Sequence, residues 1–112
     1  MPKIAVLQMN SGIDPEANFD VIKQAACDAK AGGSEILFTP EMALLLDRDR
    51  SRGRAAMAAP AYKEYRDRFW GLAEDLRINI AIGSMPVPLE NGMIANRSYY
   101  YSADGEQPGE YD

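Results

Sequence analysis

Short apolar runs in this chain alternate with longer segments in which apolar residues recur at helical spacing. Apolar runs near residues 4–9, 35–39 and 78–83 are typical of buried strands. Between them, residues 15–31 and 60–77 place apolar side chains three or four positions apart, which predicts two helices. The order strand, helix, strand, helix, strand predicts an α/β domain. Its first two strands should be parallel and joined by a right-handed crossover.

Both predicted helices have recognisable ends or apolar stripes. Asp14 followed by Pro15 predicts the start of the first helix, and Gly32-Gly33 predicts its end. We expect its buried stripe to contain Asn18, Val21, Ile22, Ala25 and Ala29. The second helix should begin at Pro60 and bury Tyr62, Tyr65, Phe69, Leu72 and Leu76.

Three further segments lie outside this regular pattern. Residues 47–54 hold four arginines and two aspartates, which predicts a solvated loop that could attract an anion. Residues 85–88, Met-Pro-Val-Pro, should leave the third strand. Residues 94–102 predict a fourth strand, and residues 109–112 the start of another.

The stretch from Glu35 to Met42 is the most informative for function. Ile36, Leu37 and Phe38 should form a buried strand that Pro40 ends, because proline cannot donate a ladder hydrogen bond. Glu41 would then stand just past the carboxyl end of that strand, where open α/β sheets bind ligands. A carboxylate there can act as a general base if burial raises its pKa. By itself, this local pattern also fits a solvent-facing acid.

Composition narrows the possible chemistry. The chain has 112 residues, enough for one domain, with 46% hydrophobic residues, a net charge of −5 and a single cysteine, Cys27. The negative charge argues against nucleic acid or an anionic membrane as a partner. We see no signal peptide and no apolar run of the ~20 residues that a membrane span needs, so we expect a soluble, cytoplasmic protein.

The chain contains no histidine. This excludes Ser-His-Asp and Cys-His nucleophile systems and histidine-based zinc motifs within these residues. Acid–base chemistry here must use carboxylates, lysines, tyrosines or arginines. The acids at the start of the first helix, near Asp14, read as capping residues rather than a metal site. No cofactor and no metal is implied.

The ordered set of motifs resembles the carbon–nitrogen hydrolases of the nitrilase superfamily. The matching pieces are Ile4-Ala5-Val6-Leu7-Gln8-Met9, the helix near Asn18, Thr39-Pro40-Glu41-Met42, Ile82-Gly83-Ser84-Met85-Pro86, Asn96-Arg97-Ser98-Tyr99, and Asp104-Gly105 before Tyr111-Asp112. Each piece alone is common. Their order along the whole chain carries the resemblance, and the Gly83-Ser84 region is more similar to the small-amide amidases than to the true nitrilases.

The resemblance implies a four-layer αββα sandwich and a Glu-Lys-Cys triad. In that triad a cysteine thiolate attacks an amide or nitrile carbon, a glutamate acts as general base and a lysine stabilises the intermediate. Glu41 matches the glutamate. The lysine of the family pattern follows a pair such as Tyr111-Asp112, and the cysteine comes later still. Residues 1–112 therefore read as a partial domain that stops before both, and this chain alone should hydrolyse no amide.

Other residues are weaker candidates for the missing roles. Cys27 should lie inside the first helix as a packing residue, and Lys63 on the outer face of the second. Asn96 and Arg97 read as the polar face of a strand, and Tyr111 as an edge residue.

The resemblance also implies a small-molecule amide as substrate and a homo-oligomer when the protein is complete. The alternative is a non-catalytic α/β binding or interaction module. It would be a receiver-like or nucleotide-binding regulatory domain, or a chain that completes a partner's sandwich through its exposed sheet edge.

Overall fold

The chain alternates strands and helices as far as its third strand and then continues in strands alone. A computed structural model describes residues 3–112. The elements are β1 (Ile4–Val6), α1 (Pro15–Ala31), β2 (Ile36–Phe38), α2 (Arg50–Ala58), a 3₁₀ turn (Pro60–Lys63), α3 (Glu64–Leu76), β3 (Asn79–Pro88), β4 (Ile94–Tyr101) and β5 (Gly109–Tyr111).

The five strands form one mixed sheet in the order β1-β2-β3-β4-β5. β1, β2 and β3 are parallel, with Ala5 opposite Leu37 and Leu37 opposite Ile80. β4 and β5 are antiparallel to their neighbours. The parallel β-α-β arrangement predicted for the first half of the chain is thus confirmed.

Helix α1 has the predicted ends. The Asp14 carboxylate accepts a hydrogen bond from the Glu16 amide at 3.0 Å, and Gly33 follows the helix with φ of 86°. The predicted stripe is correct in part, because Val21 is 45% exposed. Phe19 is buried instead, with its ring centroid 4.9 Å from that of Phe69 in α3. The large aromatic ring therefore turns the helix towards α3 and leaves Val21 outside.

Helix α3 buries the predicted stripe. Tyr62 in the 3₁₀ turn and Tyr65, Phe69 and Leu72 in α3 are buried, and Leu76 is half-buried. The segment ends at Arg77, which adopts a left-handed conformation with φ of 53°. The prediction of one helix from Pro60 was close, since only its first four residues are 3₁₀ rather than α.

Two sequence predictions were wrong. The charged segment predicted as a loop contains α2, because the Asp49 carboxylate caps a helix by accepting from the Arg52 amide at 3.1 Å. The prediction that residues 85–88 leave the sheet also fails, because β3 runs through an irregularity between Ile82 and Met85 as far as Pro88. The prolines are tolerated there since β2 pairs with β3 only up to Ala81, so no strand needs a proline amide on that side of β3.

The two faces of the sheet are very different. On one face the side chains of Leu37, Ile80 and Tyr101 are buried in a core formed with α1 and α3. On the other face Val6 is 70% exposed, and Ile4, Phe38 and Tyr100 are also exposed. Apolar residues on both faces are typical of a sheet that is buried on both sides.

Candidate active site

Glu41 lies in a turn just beyond the carboxyl end of β2. The strand ends at Phe38, and a further ladder bond joins the Thr39 amide to the Ala81 carbonyl at 2.9 Å. The position predicted from sequence is therefore correct to within one residue. The Glu41 side chain is exposed and makes no ion pair and no side-chain hydrogen bond within residues 3–112. The described residues therefore leave the Glu41 carboxylate exposed to water instead of burying it.

The turn passes very close to β3 on its way to Glu41. The Gly83 amide donates to the Thr39 hydroxyl oxygen at 3.1 Å. A Cβ atom added to Gly83 would lie 2.6 Å from both the Pro40 carbonyl carbon and the Thr39 carbonyl oxygen. Glycine is therefore required at this position for the backbone that carries Glu41 to cross β3.

Immediately after Glu41 the backbone takes a left-handed conformation. Met42 has φ of 54°, a region that non-glycine residues seldom occupy. Ser84 holds both following amides: its hydroxyl oxygen accepts from the Met42 amide and its carbonyl oxygen accepts from the Ala43 amide, each at 2.9 Å. Such backbone strain persists only where surrounding contacts fix it, and it is concentrated at functional sites.

Asn18 ties the same segment to the loop after β1. Its side-chain amide donates to the carbonyl oxygens of Leu44 at 2.8 Å and Gly12 at 2.9 Å, while its side-chain oxygen accepts from the Gly12 amide. The sequence placed Asn18 on the buried face of α1 but assigned it no role. The sequence feature that could have predicted this role is a polar residue in an otherwise apolar stripe, because a buried amide must find hydrogen-bond partners.

A cavity of about 230 Å³ adjoins the turn. Its lining is largely apolar and also includes charged side chains from α2 and from the segment that precedes it. The lining residues are Met42, Leu45, Asp47, Arg50, Gly53, Arg54, Met57, Pro86 and Ile94. The Asp47 carboxylate is paired with Arg52 at 2.7 Å, and this hydrogen bond lowers the pKa of Asp47. That the arginines attract an anion stays a prediction.

The remaining candidates lie on other elements than the Glu41 turn. Cys27 is half-buried in the interior of α1, as predicted, and Lys63 ends the 3₁₀ turn with an exposed side chain. Arg97 in β4 forms an ion pair with Asp112 at 2.5 Å, and Tyr111 is exposed. Within residues 3–112, no cluster of three metal-binding side chains occurs. No helix of that part is long and apolar enough to cross a bilayer.

Three comparisons relate the chain to known proteins. The family described as carbon–nitrogen hydrolase matches residues 3–112. No curated protein sequence matches the chain. Among solved structures, the NitN amidase from Nesterenkonia sp. AN1 is 27% identical and superimposes with a TM-score of 0.82 over 99% of this chain and 43% of its own.

Other structures of the Nesterenkonia amidase give the same result. A glutamate-to-glutamine variant that has reacted with acrylamide at its active-site cysteine is 27% identical over 99% of this chain and 43% of its own, with a TM-score of 0.84. A variant in complex with butyramide is 28% identical over 98% of this chain and 42% of its own, with a TM-score of 0.81.

The chain thus spans less than half the length of this amidase. The Nesterenkonia amidase is described as a member of the nitrilase superfamily. The five-stranded sheet with its helices matches the amino-terminal part of the αββα sandwich, which confirms the predicted fold class. The chain belongs to the carbon–nitrogen hydrolase family.

Proposed function

We propose that these residues are the amino-terminal part of an amidase for small amides, and that Glu41 is its general base. The observation that carries the proposal is the turn at Glu41. A carboxylate stands at the carboxyl end of β2 on a backbone fixed from both sides, in a chain that the hydrolase family matches throughout. Tight positioning of an acid–base group is what such chemistry requires.

Support for the substrate class comes from the structural neighbours. The Nesterenkonia amidase has been captured with acrylamide and with butyramide, and its active site contains a cysteine. One of its studied variants replaces a glutamate by glutamine. Small amides are therefore the first substrates to test on the protein to which residues 1–112 belong.

In the proposed mechanism Glu41 removes the proton of a cysteine thiol that attacks the amide carbon. Glu41 returns that proton to the amide nitrogen, which leaves as ammonia when the carbon–nitrogen bond breaks. Glu41 then takes a proton from the water that attacks the thioester and passes it to the departing thiolate, which releases the acid. A lysine offsets the negative charge on the oxygen of the tetrahedral intermediate. We infer that the cysteine and the lysine both come from the part of the protein that follows Asp112.

The register of β5 supports this position for the lysine. Tyr111 pairs with Ser98, so the position after Asp112 would lie opposite Asn96 and on the same sheet face as Ser98. The Ser98 hydroxyl donates to the Gly83 carbonyl oxygen at 2.6 Å, and Gly83 abuts Pro40. The proposed lysine would thus lie on the strand beside β4, whose Ser98 bonds the glycine of β3 that the Glu41 turn passes.

Exposure of Glu41 in these residues also fits the proposal. A general base near neutral pH needs a raised pKa, which burial provides. In a complete αββα sandwich a second sheet would cover the apolar face that includes Val6 and Phe38. The same covering would remove water from the neighbourhood of Glu41.

Ammonia release from butyramide or acrylamide by the natural gene product tests the proposal. We expect Glu41→Gln to lower kcat/KM by about 10²–10⁴-fold, because an amide cannot accept the proton. Glu35→Gln is the matched control, since Glu35 is an exposed glutamate at the opposite end of β2. We also expect residues 1–112 alone to release no ammonia. Equal activity of the Glu41→Gln and Glu35→Gln proteins would contradict the role of Glu41.

The exposed apolar sheet face favours one second candidate, a non-catalytic module that uses this face to complete a partner's sandwich. The intact mass of the natural gene product separates the two. A species near 12.4 kDa would favour the module. A much heavier species that continues past Asp112 with a lysine and a later cysteine would favour the amidase.

A further inference from the structure

The turn that carries Glu41 depends on a single side chain of β3. We propose that Ser84 is a positioning residue that fixes the direction of the Glu41 carboxylate by holding the left-handed conformation of Met42. This inference rests on the proposed function, because it assigns Ser84 a role in the use of Glu41 as a base.

Ser84 is well placed to set this conformation. Its side chain is only 6% exposed, so its hydroxyl has little competition from water. The hydroxyl oxygen and the carbonyl oxygen accept from two successive amides, those of Met42 and Ala43, each at 2.9 Å. Two bonds from one residue to adjacent peptide units determine the orientation of the peptide plane that follows Glu41.

Without the hydroxyl, the Met42 amide would lose its acceptor. The left-handed conformation costs a non-glycine residue about 1–2 kcal/mol, so an ordinary negative φ would then become competitive. A change of φ at Met42 reorients the adjoining peptide and moves Glu41 relative to β3. Misplacement of a catalytic group by ~1 Å can cost about 10²-fold in rate.

Other residues that hold the turn act further from Glu41. Thr39 bonds to Gly83 on the strand side of Pro40, and Asn18 bonds to the Leu44 carbonyl oxygen two residues beyond Met42. Ser84 alone among these bonds the residue that directly follows Glu41. It is therefore the residue whose loss should affect catalysis more than folding.

The test compares Ser84→Ala with Ser34→Ala in the natural gene product. Ser34 is also 6% exposed, and it precedes β2 at the opposite end of the sheet. We expect Ser84→Ala to lower kcat by about 10–100-fold with KM for butyramide changed by less than about threefold, and to shift the acid limb of the kcat/KM profile. Ser34→Ala should leave both constants and the pH profile unchanged.

A second substitution tests the link to the left-handed turn. Glycine adopts positive φ without a penalty, so the kcat loss caused by Ser84→Ala should be smaller in a Met42→Gly background. Equal losses in the two backgrounds, or equal kcat for Ser84→Ala and Ser34→Ala, would overturn the inference. If Ser84→Ala does not fold, Ser84→Cys, which keeps the volume but is a weak acceptor, takes its place.

Amide exchange separates this inference from the proposed function. We expect the Met42 amide of the 15N-labelled protein to exchange at least about tenfold faster in the Ser84→Ala variant, because its hydrogen bond is gone. An unchanged exchange rate would overturn the role of Ser84 in holding the turn. Absence of ammonia release by the unsubstituted protein would instead refute the proposed function, and the exchange result would still decide whether Ser84 fixes Met42.

Discussion

At Gly83 a hydrogen atom in place of a side chain lets two segments of backbone meet. The carbonyl groups of Thr39 and Pro40 occupy the space where a Cβ atom would stand. The same crossing brings the Thr39 hydroxyl to the Gly83 amide and Ser84 to the Met42 amide. The position of Glu41 thus depends on the missing side chain of Gly83 and on the hydroxyl groups of Thr39 and Ser84.

Substitution of this glycine should be costly. We expect Gly83→Ala to lower the free energy of unfolding by about 1–3 kcal/mol, because backbone atoms 2.6 Å from the new methyl group must move. Gly71→Ala in α3 is the control, since nothing lies within 4 Å of its added Cβ. That substitution should stabilise the helix by up to about 1 kcal/mol. Urea denaturation of the purified protein gives both values, and a stable Gly83→Ala protein would refute the close crossing.

At the scale of elements, a single carboxylate joins the start of α1 to α3. The Glu16 side chain accepts hydrogen bonds from the Arg68 guanidinium at 2.6 Å and from the Tyr65 hydroxyl at 2.7 Å. The Arg68 guanidinium also lies over the Phe19 ring, 4.1 Å from its centroid. The bonds from Arg68 and then Tyr65 lower the pKa of Glu16 from 4.5 to about 2. Burial and the bond to Glu16 raise the pKa of Tyr65 to about 12.

This shift predicts a pH dependence of stability. Because the pKa of Glu16 is lower in the folded state, its contribution is present above pH 4.5 and is lost as the pH falls towards 2. We expect Glu16→Gln to reduce stability at neutral pH and to make unfolding less sensitive to pH in that window. Its side chain is half exposed, so salt should weaken the effect.

Glu64→Gln provides the control for this measurement. Glu64 is also an acid in the first turn of a helix, α3, so it shares the favourable interaction with the helix dipole. Thermal unfolding between about pH 2 and 7 should show a larger loss of pH sensitivity for Glu16→Gln than for Glu64→Gln. The same slope for both variants would mean that the helix dipole, and not the bond to Arg68, accounts for the contribution of Glu16.

For the whole molecule, the sheet has one face packed against helices and another that is apolar and open in these residues. In the complete αββα sandwich that we propose, a second sheet would cover the open face. The more exposed of two valines is therefore the one that we assign to the interior, while Val21 stays on the outer surface of α1. Val6 is 70% exposed and Val21 is 45% exposed, yet we assign Val6 to the interior of the complete protein.

An aspartate at each valine tests this assignment. In the natural gene product, Val6→Asp should lower the free energy of unfolding by about 3 kcal/mol or more, because an unpaired charge would lie between two sheets. Val21→Asp on the outer surface of α1 should change it by less than about 1 kcal/mol. Chemical denaturation measures both. A Val6→Asp protein as stable as Val21→Asp would mean that this face stays open to water.

Local signals predicted much of the fold correctly, and the errors have identifiable causes. Asp14, Pro15 and the glycines after residue 31 act through short-range bonds, so they placed α1 correctly. The many charges of residues 47–54 favoured the prediction of a loop, although Asp49 caps helix α2 there. The prolines of β3 suggested the end of a strand, because a sequence does not reveal that the neighbouring strand β2 stops at an earlier point of β3.

The sequence by itself determined the order of strands and helices apart from α2, the family and the place of Glu41 after β2. Periodicity, caps and prolines act over a few residues, and the motifs keep their order along the chain. Only the tertiary structure decided how Glu41 is held. Asn18, Thr39, Gly83 and Ser84 lie up to dozens of residues from the segments that they bond, and the left-handed Met42 follows from those distant contacts. No local sequence pattern predicts these contacts, because they form only when the segment that carries Glu41 packs against β3.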